Sequence, residues 1–174
     1  MASPIGFCHW LEGTQGSIAL HESIWVYPIV ESLHVLTLFV FLGMTAMLDL
    51  RLLGWTMAAS PVSQLIRRFM PWMVGGFFVI MATGVLLFYA DPVKTYLNIF
   101  FRLKLLFMMA AGLNAALFHR MASRTLPRWD REPRPPLRAR LAGGLSLALW
   151  AATVICGRMM AYNWFNEDSA SLAR

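Results

Sequence analysis

Four apolar blocks, at about residues 24–48, 71–90, 97–119 and 141–164, constrain this chain more than any other feature. At about 1.5 Å per residue, a helix of roughly 20 residues crosses a hydrocarbon layer roughly 30 Å thick. A backbone in hydrocarbon must satisfy its own N–H and C=O groups, so such blocks become helices. The expected fold is therefore all-α, a transmembrane four-helix bundle. Too little sequence lies outside the blocks for a second core, and residues 1–174 read as a single membrane domain. With 58% of residues hydrophobic and 14% charged, a soluble globular domain is excluded.

The block edges carry the orientation. Trp10, Trp25 and Tyr27 are amphipathic aromatics suited to headgroup level, which puts the first boundary near residues 23–28. Asp49 and Arg51 mark the opposite face. Pro71 reads as the opening of the second span and Asp91-Pro92 as its stop. Between the third and fourth spans lie Arg120, Arg124, Arg128, Arg131, Arg134, Arg138 and Arg140, with Pro127, Pro133, Pro135 and Pro136 predicting a non-helical loop. Arg51, Arg67 and Arg68 fall between spans one and two, and no Lys or Arg precedes Arg51. Both basic loops are expected in the cytoplasm and both termini in the periplasm, for a multi-pass protein of a bacterial inner membrane. The net charge of +6 is concentrated where it meets anionic headgroups, which excludes nucleic acid as the partner.

An ionisable group inside such a span needs a partner, a metal or water, and marks a functional site. Glu31 and His34 lie in the first span. If that span begins near residue 25, His34 sits about 12 to 16 Å below the outer boundary. Arg102, Lys104 and Arg158 fall about 6 to 10 Å below the same surface. One buried imidazole with cations above it suits haem b, with iron on His34 and propionates on Arg102, Lys104 and Arg158. Glu31 is either a partner for Arg158 or a proton site.

The second axial ligand is open. His119 belongs near the cytoplasmic end of the third span, about 15 Å or more from His34, so it either holds a second haem or is an interfacial histidine. Met81, Met108 and Met109 are the thioethers at the right depth. His21 lies on another face, either as a ligand to an outer haem or metal or simply exposed. Cys8-His9 offers copper two ligands, while Cys156 reads as a small core hydrophobe. The stripes Gly144, Leu147, Ala151, Val154, Arg158 and Lys104, Met108, Ala111, Ala115, His119 present small residues for helix packing or for a flat macrocycle.

These residues resemble a small bacterial four-span membrane family of unknown function. The resemblance rests on Tyr27-Pro-Ile-Val-Glu-Ser-Leu-His34, Leu48-Asp-Leu-Arg-Leu-Leu-Gly54, Pro61-Val-Ser, Arg68-Phe-Met-Pro-Trp72, Thr83-Gly-Val-Leu-Leu-Phe88, Phe101-Arg-Leu-Lys104, Gly112-Leu-Asn-Ala-Ala-Leu-Phe-His119 and Gly157-Arg158. More loosely the chain is similar to membrane b-type cytochromes, although it lacks two matched histidine pairs. That likeness implies electron transfer with one or two haems, to or from a quinone or a periplasmic redox protein.

Two other readings stand beside it. One is a metal-ion or small-solute transport component with Glu31, His34 and Asn114 along a polar path; the other is a membrane scaffold subunit. The sequence holds no placeable Ser-His-acid set, glycine-rich phosphate loop or zinc spacing, so an electron carrier is expected over a stand-alone enzyme and no catalytic residue is assigned. Gly75-Gly76 and Gly143-Gly144 provide close-approach surfaces, and a homo-oligomer is expected.

Overall fold

A computed structural model describes residues 4–162. Among them the chain is helical with no strand: α1 (Pro4–Glu12), α2 (Gln15–His21), α3 (Val26–Leu53), α4 (Val62–Ala90), α5 (Pro92–Leu97), α6 (Ile99–Trp129) and α7 (Leu137–Met159). Four of these, α3, α4, α6 and α7, are long and apolar enough to span a membrane, which makes this a multi-pass membrane protein. Trp164, expected to end the fourth span, lies outside the described residues.

The helix ends follow local chemistry. Pro28 sits in the first turn of α3, where a missing N–H costs nothing. At the other end Gly54 takes a left-handed φ of 78°. Its N–H bonds Arg51 O at 3.0 Å and the Trp55 N–H bonds Leu50 O at 3.1 Å, closing α3 and turning the chain sharply into the connection to α4. A side chain at residue 54 would also meet Pro133 O at 3.2 Å.

Two helices are longer than the prolines suggest. Pro71 lies inside α4, which starts at Val62. Asp130 explains that start: its carboxylate accepts from Ser63 N at 2.7 Å and from Ser63 Oγ at 2.6 Å, capping α4 from a distant segment. Pro127 lies inside the last turns of α6. That turn is held by Trp129, which is buried and donates its indole N–H to Thr125 Oγ1 at 3.2 Å. Tertiary anchoring thus carries both helices past their prolines.

Close packing runs in the order α4, α3, α7, α6. The main core lies at the arginine-rich end, where Leu48, Leu52, Val62, Leu65, Trp129 and Ala139 form one buried cluster. There α3 and α7 approach so closely that a Cβ on Gly143 would lie 2.9 Å from Asp49 O and 3.0 Å from Leu52 Cβ. Gly76 likewise faces Thr37 and Phe41 of α3. Gly76 and Gly143 therefore pack helices within the chain. Midway along the bundle the Phe41 ring meets Trp150 edge-on at 4.9 Å and Phe77 at 6.4 Å, an aromatic layer between the two ends.

The short helices gather at the opposite end. Ser17 of α2 is buried and donates to Tyr89 O at 2.7 Å. Thr14 gives its hydroxyl proton to Leu11 O, so the Tyr89 hydroxyl donates to Thr14 across 2.8 Å. Around these ties Phe7, Trp10, Ile18 and Trp25 stay exposed, as headgroup-level aromatics and aliphatics do.

Candidate functional site

His34 is one of the few polar side chains buried in the membrane-spanning helices, with 8% of its surface exposed. It belongs to the inner face of α3 with Phe41, Thr45, Leu48 and Leu52, at spacings of three, four and seven. Its Nδ1 lies 2.8 Å from Thr83 Oγ1 of α4. The Thr83 hydroxyl also lies 2.7 Å from Val79 O and 3.1 Å from Ile80 O. With the Thr83 proton on the backbone carbonyls, the hydroxyl oxygen accepts from Nδ1–H. The neutral ring then carries its lone pair on Nε2, and the Ile80 backbone carbonyl also lies within hydrogen-bonding reach of the ring. Gly84 follows on α4, and a Cβ there would touch His34 Cε1 at 3.5 Å.

Lys104 of α6 completes the surroundings. It is half-buried, within electrostatic reach of His34 and of Cys156, and its Nζ lies 3.8 Å from where a Cβ on Gly157 would be. The ion pairs among the described residues are His9–Glu12 and Lys94–Asp91, so the Lys104 charge has no carboxylate of the described residues against it. Cys156 is buried with a free thiol.

The other cations do not converge on His34. Arg102 is exposed, donating to Tyr96 O at 3.2 Å with its guanidinium 4.9 Å from the centre of that ring. Arg158 is exposed in the same manner, its Nη2 3.3 Å from the Tyr162 hydroxyl and its guanidinium 5.4 Å from the ring. Both behave as interfacial residues held by a local tyrosine. Glu31 is exposed and forms no ion pair with Arg158.

The remaining candidates scatter. His119 is exposed toward the arginine-rich end, and His21 is exposed with its ring 6.5 Å from Tyr27. Met81 and Met109 face outward, while Met108 is half-buried on the same side of α6 as Lys104. Cys8 is buried and His9 is exposed beside Glu12, so the adjacent pair diverges. Among the described residues no three of His, Cys, Asp and Glu gather as a metal cage. Asn114 is turned to α7, donating to Ala142 O at 2.9 Å, far along the bundle from Glu31.

The expected small-residue stripes are also rotated. In α7 the buried face is Ala139, Gly143, Ser146, Thr153 and Cys156, whereas Ala151, Val154 and Arg158 point out. In α6 the inner face passes from Lys104, Met108 and Ala111 to Phe118 and Ala122, leaving Ala115 and His119 outside. In α6 two successive four-residue steps, each roughly 400°, drift off the face, whereas the α7 stripe lies one residue along from the buried one, a rotation of about 100°.

A second polar group lies beyond the aromatic layer. Asp49 is 4% exposed, faces Ser146, and leaves Oδ2 without a hydrogen-bond partner among the described residues. Arg51, expected as a loop cation, is fully enclosed; its Nε donates to Ser60 O at 2.9 Å and its Nη2 to Glu132 O at 3.1 Å, with Nη1 unpaired. Thr83 carries the His34 geometry but stood out in the sequence only as part of a resemblance. The available signal was a hydroxyl beside a glycine inside an apolar block.

No curated protein and no solved structure gives a significant match to the chain. One family model matches residues 9–163, a stretch that includes His34, Thr83 and Lys104, and the chain therefore belongs to that family, described as a family of unknown function (DUF6644).

Proposed function

We propose that this protein is a membrane b-type cytochrome that carries electrons in a bacterial inner membrane, with one haem b ligated by His34 Nε2. The observation that carries this reading is the Nδ1 contact of the buried His34 ring: with the Thr83 hydroxyl accepting from Nδ1–H, the lone pair falls on Nε2. Metal-ligating histidines are commonly oriented by such a partner on the other nitrogen. Iron already held by a macrocycle takes one or two protein ligands, so a single well-oriented imidazole suffices where a bare ion requires a cage. Lys104 is the cation for one propionate, and Arg102 and Arg158 serve only by leaving their tyrosines. Met108, half-buried on the same side of α6 as Lys104, would be the thioether available as a second ligand. His21 and His119, both exposed, argue for one haem over two. Haem would supply reversible one-electron chemistry, exchanged with a quinone or a periplasmic redox protein. The charge of the arginine-rich loops supports a periplasmic side for both termini.

The test is the visible spectrum of the purified full chain, reconstituted with haemin where needed, with pyridine haemochrome quantitation. One haem per chain, lost in His34→Ala, is expected. A colourless reconstituted sample, or bands unchanged by His34→Ala, sinks the proposal. Ion or small-solute transport is the second reading, favoured by the unpaired Asp49 Oδ2. It would be selected by colourless protein whose proteoliposomes show cation flux abolished in Asp49→Asn.

A further inference from the structure

Between α6 and α7, toward the arginine-rich end, runs a groove of about 280 Å³ lined by Asn114, Leu117, Phe118, Met121, Arg138, Leu141, Ala142 and Leu145. Leu117, Leu141 and Leu145 are more than half exposed, so the groove opens sideways to where acyl chains lie. Its polar groups are ordered along the helix axis. Arg138 stands in the first turn of α7, is exposed, and has no carboxylate of the described residues against it. Asn114 is bonded to Ala142 O, one turn farther into the membrane than Arg138. That bond uses one of the two amide hydrogens of Asn114 and leaves the other for a second acceptor.

A guanidinium at headgroup level, an amide donor about 6 Å deeper and leucines below repeat the order of phosphate, ester carbonyl and acyl chain in a phospholipid. A guanidinium forks onto two phosphate oxygens, and each basic residue near an anionic surface contributes about 1 kcal/mol of attraction. We propose that this groove is a binding site for one anionic phospholipid of the adjacent leaflet, with its phosphate on Arg138 and a glycerol ester carbonyl on the free Asn114 amide hydrogen. The site is independent of the haem reading, since it shares no residue with the His34 surroundings.

Native mass spectrometry of the delipidated full chain in detergent tests it, using palmitoyl-oleoyl phosphatidylglycerol, palmitoyl-oleoyl phosphatidylcholine and inorganic phosphate as probes. One phosphatidylglycerol should be retained in preference to phosphatidylcholine, and inorganic phosphate should not displace it. Arg138→Gln should weaken retention roughly fivefold to tenfold. Arg138→Lys should restore part of it, Asn114→Leu should weaken it less, and Arg140→Gln, outside the groove, should change it less than twofold. Equal retention of the two lipids overturns the proposal, as does displacement by inorganic phosphate. Equal losses in Arg138→Gln and Arg140→Gln would mean diffuse attraction and also overturn it. A second copy of the chain occupying the groove, seen as a lipid-free dimer that Arg138→Gln dissolves, overturns it too.

Discussion

At the arginine-rich end Arg51 is enclosed and gives Nε and Nη2 to carbonyls of both connecting loops, whereas at the other end His34 is also buried but commits one ring nitrogen and keeps the second. The first arrangement ties segments together. The second holds a side chain still and leaves it with unused bonding capacity. Packing follows the same division: Gly143 brings α3 and α7 within direct backbone contact beside Asp49, while the His34 end has a glycine, a threonine and a half-buried lysine around an imidazole. Burial alone therefore does not identify a site in a membrane bundle, and neither does one unused polar atom, since Arg51 Nη1 and Asp49 Oδ2 also lack a partner among the described residues; what differs is that Arg51 joins two loops, whereas the His34 side chain joins only α3 and α4.

The comparison breaks most readily at Arg51. Arg51→Met removes two charge-assisted hydrogen bonds and strands the Ser60 and Glu132 carbonyls, a loss of about 3 kcal/mol or more. Thermal denaturation of the full chain in detergent should show a larger fall in midpoint than Gly143→Ala, Thr83→Val or Tyr89→Phe produces. Gly143→Ala comes next. Its methyl must enter at 2.9 Å from Asp49 O, a backbone atom that cannot swing aside, and overpacking of this kind costs roughly 1–3 kcal/mol. If Gly143→Ala left the midpoint unchanged, the close approach would not be holding that end together.

Thr83→Val sharpens the other side. It preserves shape but leaves the His34 Nδ1–H without its acceptor, a stability loss of about 1–2 kcal/mol. Under the proposed function its effect on haem is larger than on the fold: retention on dilution should weaken roughly 10-fold to 100-fold, followed by loss of absorbance. Equal haem retention in Thr83→Val and the parent would separate Thr83 from any positioning role. Smallest is Tyr89→Phe, which deletes the hydroxyl bonded to Thr14 and should cost about 0.5–1.5 kcal/mol. Hydrogen exchange in Gln15–His21 should accelerate while exchange in α3 and α7 stays constant.

The four spans and the burial of His34 were legible because length and apolarity are one-dimensional properties. Which face of each helix turns inward was not. In water an exposed face must be polar, but lipid permits Leu, Val and Phe on every side, so α3 and α7 carry little contrast between their faces. That is why the outward Ala151 and Val154 looked equivalent to the buried Ser146 and Thr153. Arg102 and Arg158 were placed by depth, and depth cannot show that Tyr96 and Tyr162 lie within reach to hold them outward. Pro71 and Pro127 read as boundaries because their cost is local, while Asp130 and Trp129, which offset it, act across the fold. Arg51 misleads for the same reason, since its Glu132 partner is 81 positions away in sequence.

That separation bears on how the protein is made. When α3 and α4 have been inserted and α6 has yet to emerge, Arg51 has Ser60 nearby but no Glu132 carbonyl. The Ser63 end of α4 is equally without its Asp130 cap. The first hairpin is thus a half-finished joint during synthesis, with a guanidinium at the membrane edge that must stay hydrated until the second hairpin arrives. The arginine-rich end is therefore complete only with both hairpins present, and a chain cut before α6 lacks both the Glu132 carbonyl and the Asp130 cap.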